Sequence, residues 1–238
     1  MNVFPAITLC MIVKDEANCI KTCLESVKGL VSEIIIVDTG SSDQTIEICK
    51  NHGAKVYSYQ WKNDFADARN YGLSFSTGDW ILWLDADEEL DALNKSIIPE
   101  ILENTNAQIL SLPVLNYYGT TTTVDKNNVY SLYQLRLFRN HKNIIFQNRI
   151  HAIPLLPAEI TEKDIEILPV AIHHYGYLQD VTETKQKSQR NIQLLQQELS
   201  DPTHSPWIEY HLASEFYRLE KYQLAFQLAN QSILLFLQ

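Results

Sequence analysis

Trp80 to Leu84 is a run of five apolar residues with no helical period, and it ends in Asp85, Asp87, Glu88 and Glu89, four carboxylates within five positions. Entered through the turn residues Thr77-Gly78-Asp79, the run reads as a strand covered on both faces, as in a parallel sheet. The carboxyl end of such a strand is where open α/β sheets hold their ligands. Asp85 and Asp87 are two apart, so on a strand they point to the same side, roughly 6 to 7 Å apart at ~3.3 Å rise per residue. A turn there lets them converge. Two hard oxygen donors suit Mg²⁺ or Mn²⁺, which keep positions open for phosphate oxygens. Glu88, Glu89 and Asp91 precede Ala92-Leu93 and read as the start of a helix, because acids favour a helix N-terminus.

The rest of the first ninety residues repeats the same grammar. Ile7–Val13 is a buried strand ending in the polar run Lys14 to Asn18, and Cys19, Ile20, Cys23, Leu24 and Val27 follow at helical spacing, stopped by Gly29. Glu33–Asp38 is a β-branched strand closed by Thr39-Gly40-Ser41-Ser42-Asp43. A helix over Gln44–Asn51, a strand over Ala54–Tyr59 and a helix over Trp61–Leu73 come next. Arg69 and Asn70 sit in the middle of that last helix, facing either a phosphate or base edge or the solvent. Strands and helices alternating at this spacing make an α/β fold with a parallel sheet and crossovers.

Beyond the acids, Leu93–Glu103 reads as a helix and Ala107–Leu115 as a strand. Asn116–Asn128, with Tyr117-Tyr118-Gly119 and four successive threonines, reads as a hairpin or loop. Tyr130–Phe138 alternates as a half-exposed strand, and Ile144–Ile153, Ile165–His173 and the loops between them complete the sheet or an acceptor wall. From Val181 the chain reads as helical over Lys185–Leu199, Trp207–Leu219 and Tyr222–Leu237, which divides it into residues 1–180 and 181–238. The last two helices, 207–238, look like a tetratricopeptide unit, with Ala213, Tyr217, Tyr222, Ala225 and Ala229 at small and aromatic positions. A single repeat cannot bury its own face. The pair therefore packs on the body, on a second copy as a homodimer, or in a longer array, unless it is an ordinary helical hairpin.

At 238 residues and 45% hydrophobic content the chain is one large domain or one domain with an appendage. A net charge of -10 and a pI near 5.1 argue against a general nucleic-acid binder. Cys10, Cys19, Cys23 and Cys49 lack the spacing of paired zinc ligands and read as reduced core thiols. The start has no basic or apolar leader region and no stretch approaches 18 apolar residues, so the expected location is cytoplasmic, with peripheral docking at the inner face of a membrane left open.

Four segments then stand in register: Ile7-Thr8-Leu9-Cys10-Met11-Ile12-Val13-Lys14-Asp15-Glu16, Val37-Asp38-Thr39-Gly40-Ser41-Ser42-Asp43-Gln44-Thr45, Asp67-Ala68-Arg69-Asn70 and Leu84-Asp85-Ala86-Asp87-Glu88. Together they resemble glycosyltransferase family 2, the inverting nucleotide-sugar enzymes of the Rossmann-like GT-A fold, strongly over residues 6–91 and more loosely to about 199. Within it the chain is most similar to the bacterial branch of lipopolysaccharide-core glucosyltransferases and bacteriocin-peptide glycosyltransferases. The resemblance implies a hexosyltransferase that moves a sugar from a nucleotide diphosphate sugar, commonly UDP-linked, to a glycan, lipid-linked or peptide acceptor.

It also implies roles for matching positions. Glu16 and Asp38 hold the base and ribose, Arg69 lies beside the base or phosphates, and Asp85 lies against the ribose and metal. Asp87 binds the Mn²⁺ or Mg²⁺ that bridges the diphosphate. In His173-His174-Tyr175-Gly176-Tyr177, His174 fits the place of a histidine that returns to the metal or diphosphate. Lys187, Arg190 and Asn191 match a polar helix face that closes over the phosphates or faces solvent. Relatives carry His-Glu after Arg-Ile, whereas this chain has Arg149-Ile150-His151-Ala152. Inversion needs a general base; with Ala152 in that place it falls to His151, to a carboxylate such as Asp125 or Glu159, or activity has been lost.

Three other readings compete. A haloacid-dehalogenase-type phosphatase also uses Asp-x-Asp after an apolar strand, but one near the chain start and without Glu88-Glu89. A nicotinamide-binding Rossmann enzyme needs a Gly-x-Gly-x-x-Gly that does not follow the first strand. A degenerate transferase body serving as an interaction module is favoured by Ala152 and opposed by the intact Asp85 and Asp87.

Overall fold

The computed structural model describes residues 4–119, 124, 128–178, 187–200 and 204–237. Four strands, β1 (Ile7–Val13), β2 (Glu33–Asp38), β3 (Lys55–Ser58) and β4 (Trp80–Trp83), run parallel in the spatial order β3-β2-β1-β4. Helices α1 (Ile20–Ser26), α2 (Thr45–Asn51) and α3 (Phe65–Leu73) are the crossovers between them. Because successive side chains of a strand point to opposite faces, Leu9, Met11, Ile36 and Leu82 pack with Ile20, Cys23 and Leu24 of α1. On the other face, Cys10, Ile35, Ile81 and Trp83 join Ala66 of α3. Both faces are therefore covered, which is what runs without polar alternation require. Cys10, Cys23 and Cys49 are buried free thiols.

The second half extends the sheet. Antiparallel β6 (Ile109–Tyr117) and β7 (Val129–Arg139) lie beside β4, with β7 adjacent to it. Short strands β10 (Ile165–Ile167) and β11 (Ile172–His174) pair parallel to successive parts of β6, and β5 (Glu88–Leu90) pairs antiparallel to β11. In this nine-stranded sheet only β7 and β5 run against the rest, so it is mostly parallel. Residues 84–87 alone join β4 to β5, although β7, β6 and β11 lie between them in the sheet. A chain spans at most ~3.6 Å per residue, so the sheet has to curl until its far edge returns to the end of β4.

A two-stranded ribbon, β8 (Ile145–Gln147) with β9 (Ile153–Leu155), stands apart from the sheet. The chain ends in α5 (Lys187–Leu199), α6 (Trp207–Arg218) and α7 (Tyr222–Phe236). Leu194, Leu195, Leu212, Phe216 and Leu228 form their core, and Ile150 and Phe65 from the body pack into it. Phe226, Leu234 and Phe236 leave α7 an exposed apolar outer face. Among the described residues no helix is long and apolar enough to cross a membrane.

Several boundaries differ from the sequence reading. The helix expected from Trp61 starts at Phe65, because the Asp64 carboxylate accepts the Asp67 N–H at 2.9 Å as an N-cap and Asn63 takes a left-handed φ of 58°. Glu88 and Glu89 do not open a helix; they form β5, and α4 (Ile98–Asn104) begins only after a 3₁₀ turn at Lys95–Ile97. Asp91 closes the intervening turn by accepting the Leu93 and Asn94 N–H groups. The Ile144–Ile153 strand is broken by left-handed Asn148 and His151, and the Ile165–His173 strand is interrupted at Leu168-Pro169. The four threonines, Asp125 and the Val181–Lys185 stretch lie outside the described residues.

Glu33 ties the amino-terminal ends of these strands together. Its carboxylate accepts from the Thr8 hydroxyl at 2.7 Å, the Thr77 N–H at 2.8 Å and Lys55 Nζ at 2.8 Å. Burial pushes its carboxyl up, but these donors outweigh burial and bring it down to about 2. With the folded value below the unfolded one, its contribution is present above pH ~4.5 and fades as pH falls toward ~2. Glu33→Gln is expected to remove about 2 to 3 kcal/mol at pH 7 and to flatten the acid limb of a urea-unfolding stability curve. An acid limb parallel to that of the unaltered chain contradicts this.

Candidate active site

A cleft of about 670 Å³ opens at the carboxyl ends of β1 and β4. Glu16 enters it from the loop after β1, Arg69 from α3, Asp85 and Asp87 from the β4–β5 link, His151 from the β8–β9 ribbon and His174 from β11. These six residues singled out in the sequence thus line one cavity, together with Arg190 and Asn191. Asp38 does not: it is buried, and its carboxylate accepts the N–H groups of Gly40 at 3.1 Å and Ser41 at 3.2 Å, closing the turn after β2. The neighbouring Thr39 takes the place at the wall.

The acidic link is held by two arginines. Arg69 Nη2 donates to Asp85 Oδ1 at 2.7 Å. Arg136 on β7 grips Glu88 with both terminal nitrogens, at 2.6 and 2.9 Å, in a pair only 3% and 1% exposed. Glu88 Oε2 also accepts the Asp85 N–H at 2.8 Å, so the carboxylate that Arg136 orients in turn fixes the backbone of the link. Between the guanidiniums lies Trp83: the Arg136 and Arg69 carbons stand 3.8 and 4.4 Å from its ring centroid, and its Nε1–H donates to the Leu135 carbonyl. Burial raises the Asp85 carboxyl, but Arg69 and Arg136 more than reverse this and hold it well below the usual carboxylate range. Burial pushes Glu88 up, opposed by Arg136. Arg69 Nε and Nη1 are buried with no hydrogen-bond partner among the described residues.

His174 Nε2 lies 3.6 Å from Asp87 Oδ1. Its other nitrogen, Nδ1, is 2.7 Å from Asn116 Oδ1. The Asn116 amide cannot be turned over, because its Nδ2 donates to the Val114 and Tyr130 carbonyls at 3.3 and 3.2 Å. Nδ1 therefore carries the proton, and in the neutral ring Nε2 presents its electron pair on the side of Asp87. Gly176 completes the corner: a Cβ there would come 2.6 Å from Asp87 Oδ2 and collide with the His174 ring as well. One carboxylate and one imidazole nitrogen oriented together fit Mn²⁺ or Mg²⁺. Among the described residues no group of three His, Cys, Asp or Glu side chains is gathered for a metal, so such an ion would complete its shell with ligand oxygens and water.

His151 adopts a left-handed φ of 51° and stacks on His211 of α6, ring centroids 4.0 Å apart. The surrounding protein, then His211 and the Arg218 and Arg190 guanidiniums, hold its imidazole below the ordinary histidine value, although its edge stays open to solvent. Ala152 points into the apolar cluster of Trp83 and Phe146. Glu159 is exposed and outside the cleft lining, and Asp125 lies outside the described residues. Sequence reasoning missed Glu88, Arg136, Trp83 and Asn116. The signal for Arg136 was present: a charge flanked by Leu135 and Leu137 in an apolar strand needs a buried partner.

Residues 8–161 match the family model described as glycosyl transferase family 2. A TPR repeat-containing protein of Synechococcus elongatus is 38% identical over 202 residues, 82% of this chain and 48% of that protein. The SPbeta prophage-derived glycosyltransferase SunS of Bacillus subtilis is 30% identical over 96% of this chain and 53% of its own length. The chain thus spans about half the length of these curated relatives. Among solved structures, S. aureus TarS 1-349 in complex with UDP-GlcNAc superposes with a TM-score of 0.54 at 14% identity, covering 89% of this chain and 71% of that one. That likeness is one of fold.

Removing one partner of a buried ion pair strands the other charge, a loss of about 3 to 5 kcal/mol, whereas replacing both with apolar side chains is close to neutral. Arg136→Met is therefore expected to destabilise by that amount, and Arg136→Met combined with Glu88→Leu to recover most of it in urea unfolding. A double variant less stable than either single one contradicts the pairing.

Proposed function

The chain belongs to glycosyl transferase family 2, and from that premise we propose that it transfers a sugar, with inversion, from a UDP-linked donor to an acceptor nucleophile in a metal-dependent reaction. The observation that carries this is the Asp87–His174 corner, where the Asn116 lock aims an imidazole electron pair beside a carboxylate at the end of a parallel strand. The TarS complex with UDP-GlcNAc and the name of SunS as a glycosyltransferase support the donor class and the activity. The name of the cyanobacterial relative supports the tetratricopeptide-like reading of residues 207–238.

Asp87 and His174 are the residues that would hold Mn²⁺ or Mg²⁺. Bound there, such a cation neutralises charge on the departing diphosphate. Arg69 brings its positive charge to the cleft wall, and Asp85, clamped by Arg69, stays ionised beside the ribose. Glu16 and the Thr39 turn that Asp38 closes flank the nucleoside. His151, neutral at pH 7 in this reading, accepts the acceptor's proton on its unprotonated ring nitrogen. As the acceptor's nucleophilic atom bonds to the anomeric carbon, the bond from that carbon to the diphosphate oxygen breaks, and its electron pair leaves with UDP.

The buried methyl of Ala152, where relatives carry a carboxylate, favours a second reading in which the fold binds nucleotide without turnover. Calorimetry and a nucleotide-sugar hydrolysis screen separate the two. The unaltered chain is expected to bind UDP in the presence of Mn²⁺ and to consume one donor slowly in water; binding without consumption supports the second reading. Asp87→Asn is expected to abolish Mn²⁺-dependent binding, and Asn116→Leu, which frees the His174 ring, to weaken it about 10- to 100-fold. Equal binding of UDP with and without Mn²⁺ contradicts the metal site.

A further inference from the structure

The helical pair is joined to the cleft by one face of α6. His211, Glu215 and Arg218 stand at i, i+4 and i+7, which places them on the same side of a helix. Each touches a different cleft-lining residue: His211 stacks on His151, Glu215 Oε1 accepts from Asn191 Nδ2 at 2.8 Å, and the Arg218 guanidinium lies 5.0 Å from the Tyr177 ring centroid. Glu215 is only 1% exposed, an unusual place for a carboxylate unless its charge is used.

Arg218 Nη1 answers that charge at 3.4 Å, and the same carboxylate oxygen also holds Asn191. With Nδ2 committed to Glu215, the amide oxygen Oδ1 has to face the other way, and there it accepts from Arg190 Nε at 3.3 Å and Nη2 at 3.0 Å. Arg190 also packs over the Phe65 ring at 5.1 Å and lines the cleft with Asp85 and Asp87. Its hydrogen bonds go to a neutral amide, and it forms no ion pair among the described residues, so its charge is kept for an anion in the cleft. Without Glu215 the Asn191 amide has no reason to keep its oxygen toward the guanidinium, and a long exposed arginine loses its anchor.

We propose that Glu215, on the C-terminal helical pair, is a positioning residue that holds the Arg190 guanidinium in the cleft to receive the donor's diphosphate. This rests on the nucleotide-sugar reading above. It makes the helical pair part of the donor site.

The test is calorimetry of UDP with Mn²⁺ on the full chain. Glu215→Leu is expected to raise the dissociation constant about tenfold, the scale of one hydrogen-bonded link to a charged group. Glu215→Gln, which keeps an acceptor for Asn191 Nδ2, stays within about threefold of the unaltered chain. In an Arg190→Ala background Glu215→Leu has no further effect. Should Glu215→Leu not fold, Asn191→Ala breaks the same link from its other end, with the same expected loss and the same silence without Arg190. Equal losses with and without Arg190 overturn the proposal. Unchanged binding by both single variants, with the unaltered chain binding UDP, overturns this inference alone. Failure of the unaltered chain to bind UDP overturns the functional reading and this one with it.

Discussion

Everything at the cleft depends on a salt bridge with almost no contact with water. Arg136 and Glu88 close a two-pronged pair inside the curl of the sheet, and Glu88 then holds the Asp85 N–H. A buried pair of this kind adds little net stability over an apolar replacement, but leaving either charge alone is severe. Its value is in geometry. The link of residues 84–87 has to turn sharply to reach β5, and a fixed carboxylate at its end determines where Asp85 and Asp87 point. The same closure sets β5 against β11, with Glu88 opposite His174 in the register, and so carries His174 to the acidic corner.

The density of acid at this strand end is managed charge by charge. Asp85 is answered by Arg69, Glu88 by Arg136, and Asp91 by turn N–H groups and by His173 Nε2 at 3.3 Å. Trp83 lies against both arginines, shielding them from water and strengthening both pairs. Asp87 has the His174 imidazole nitrogen beside it at 3.6 Å. A divalent ion can take a carboxylate oxygen and an imidazole electron pair that stand side by side.

Much of this was legible in the residues. The strands Ile7–Val13 and Glu33–Asp38 follow from unbroken apolar runs, and the gathering of Glu16, Asp85 and Asp87 follows from strand ends sharing one edge of a parallel sheet, where Arg69 joins them from α3. What was not legible depended on contacts distant in sequence. Glu88 looks like a helix-starting acid until Arg136, 48 positions away, gives it a buried partner. Asp38 reads as a nucleotide contact, and its part in closing the turn through the Gly40 and Ser41 N–H groups shows only in the fold. The orientation of His174 rests on Asn116, whose own amide is fixed by a strand pairing that no local pattern announces. The C-terminal helices were readable as helices, yet the cleft-facing side of α6 was not, because its polar residues sit where a lone helix would turn them to solvent.

The central claim is that Asp87 and His174 share one divalent cation with the diphosphate of a nucleotide. Anomalous diffraction at the manganese edge, from crystals grown with UDP and Mn²⁺, tests it directly. The account predicts one peak within coordination distance of an Asp87 oxygen, His174 Nε2 and the diphosphate, with Arg69 still bound to Asp85. A nucleotide seated in the cleft with no manganese between it and Asp87, or manganese bound elsewhere on the chain, contradicts it.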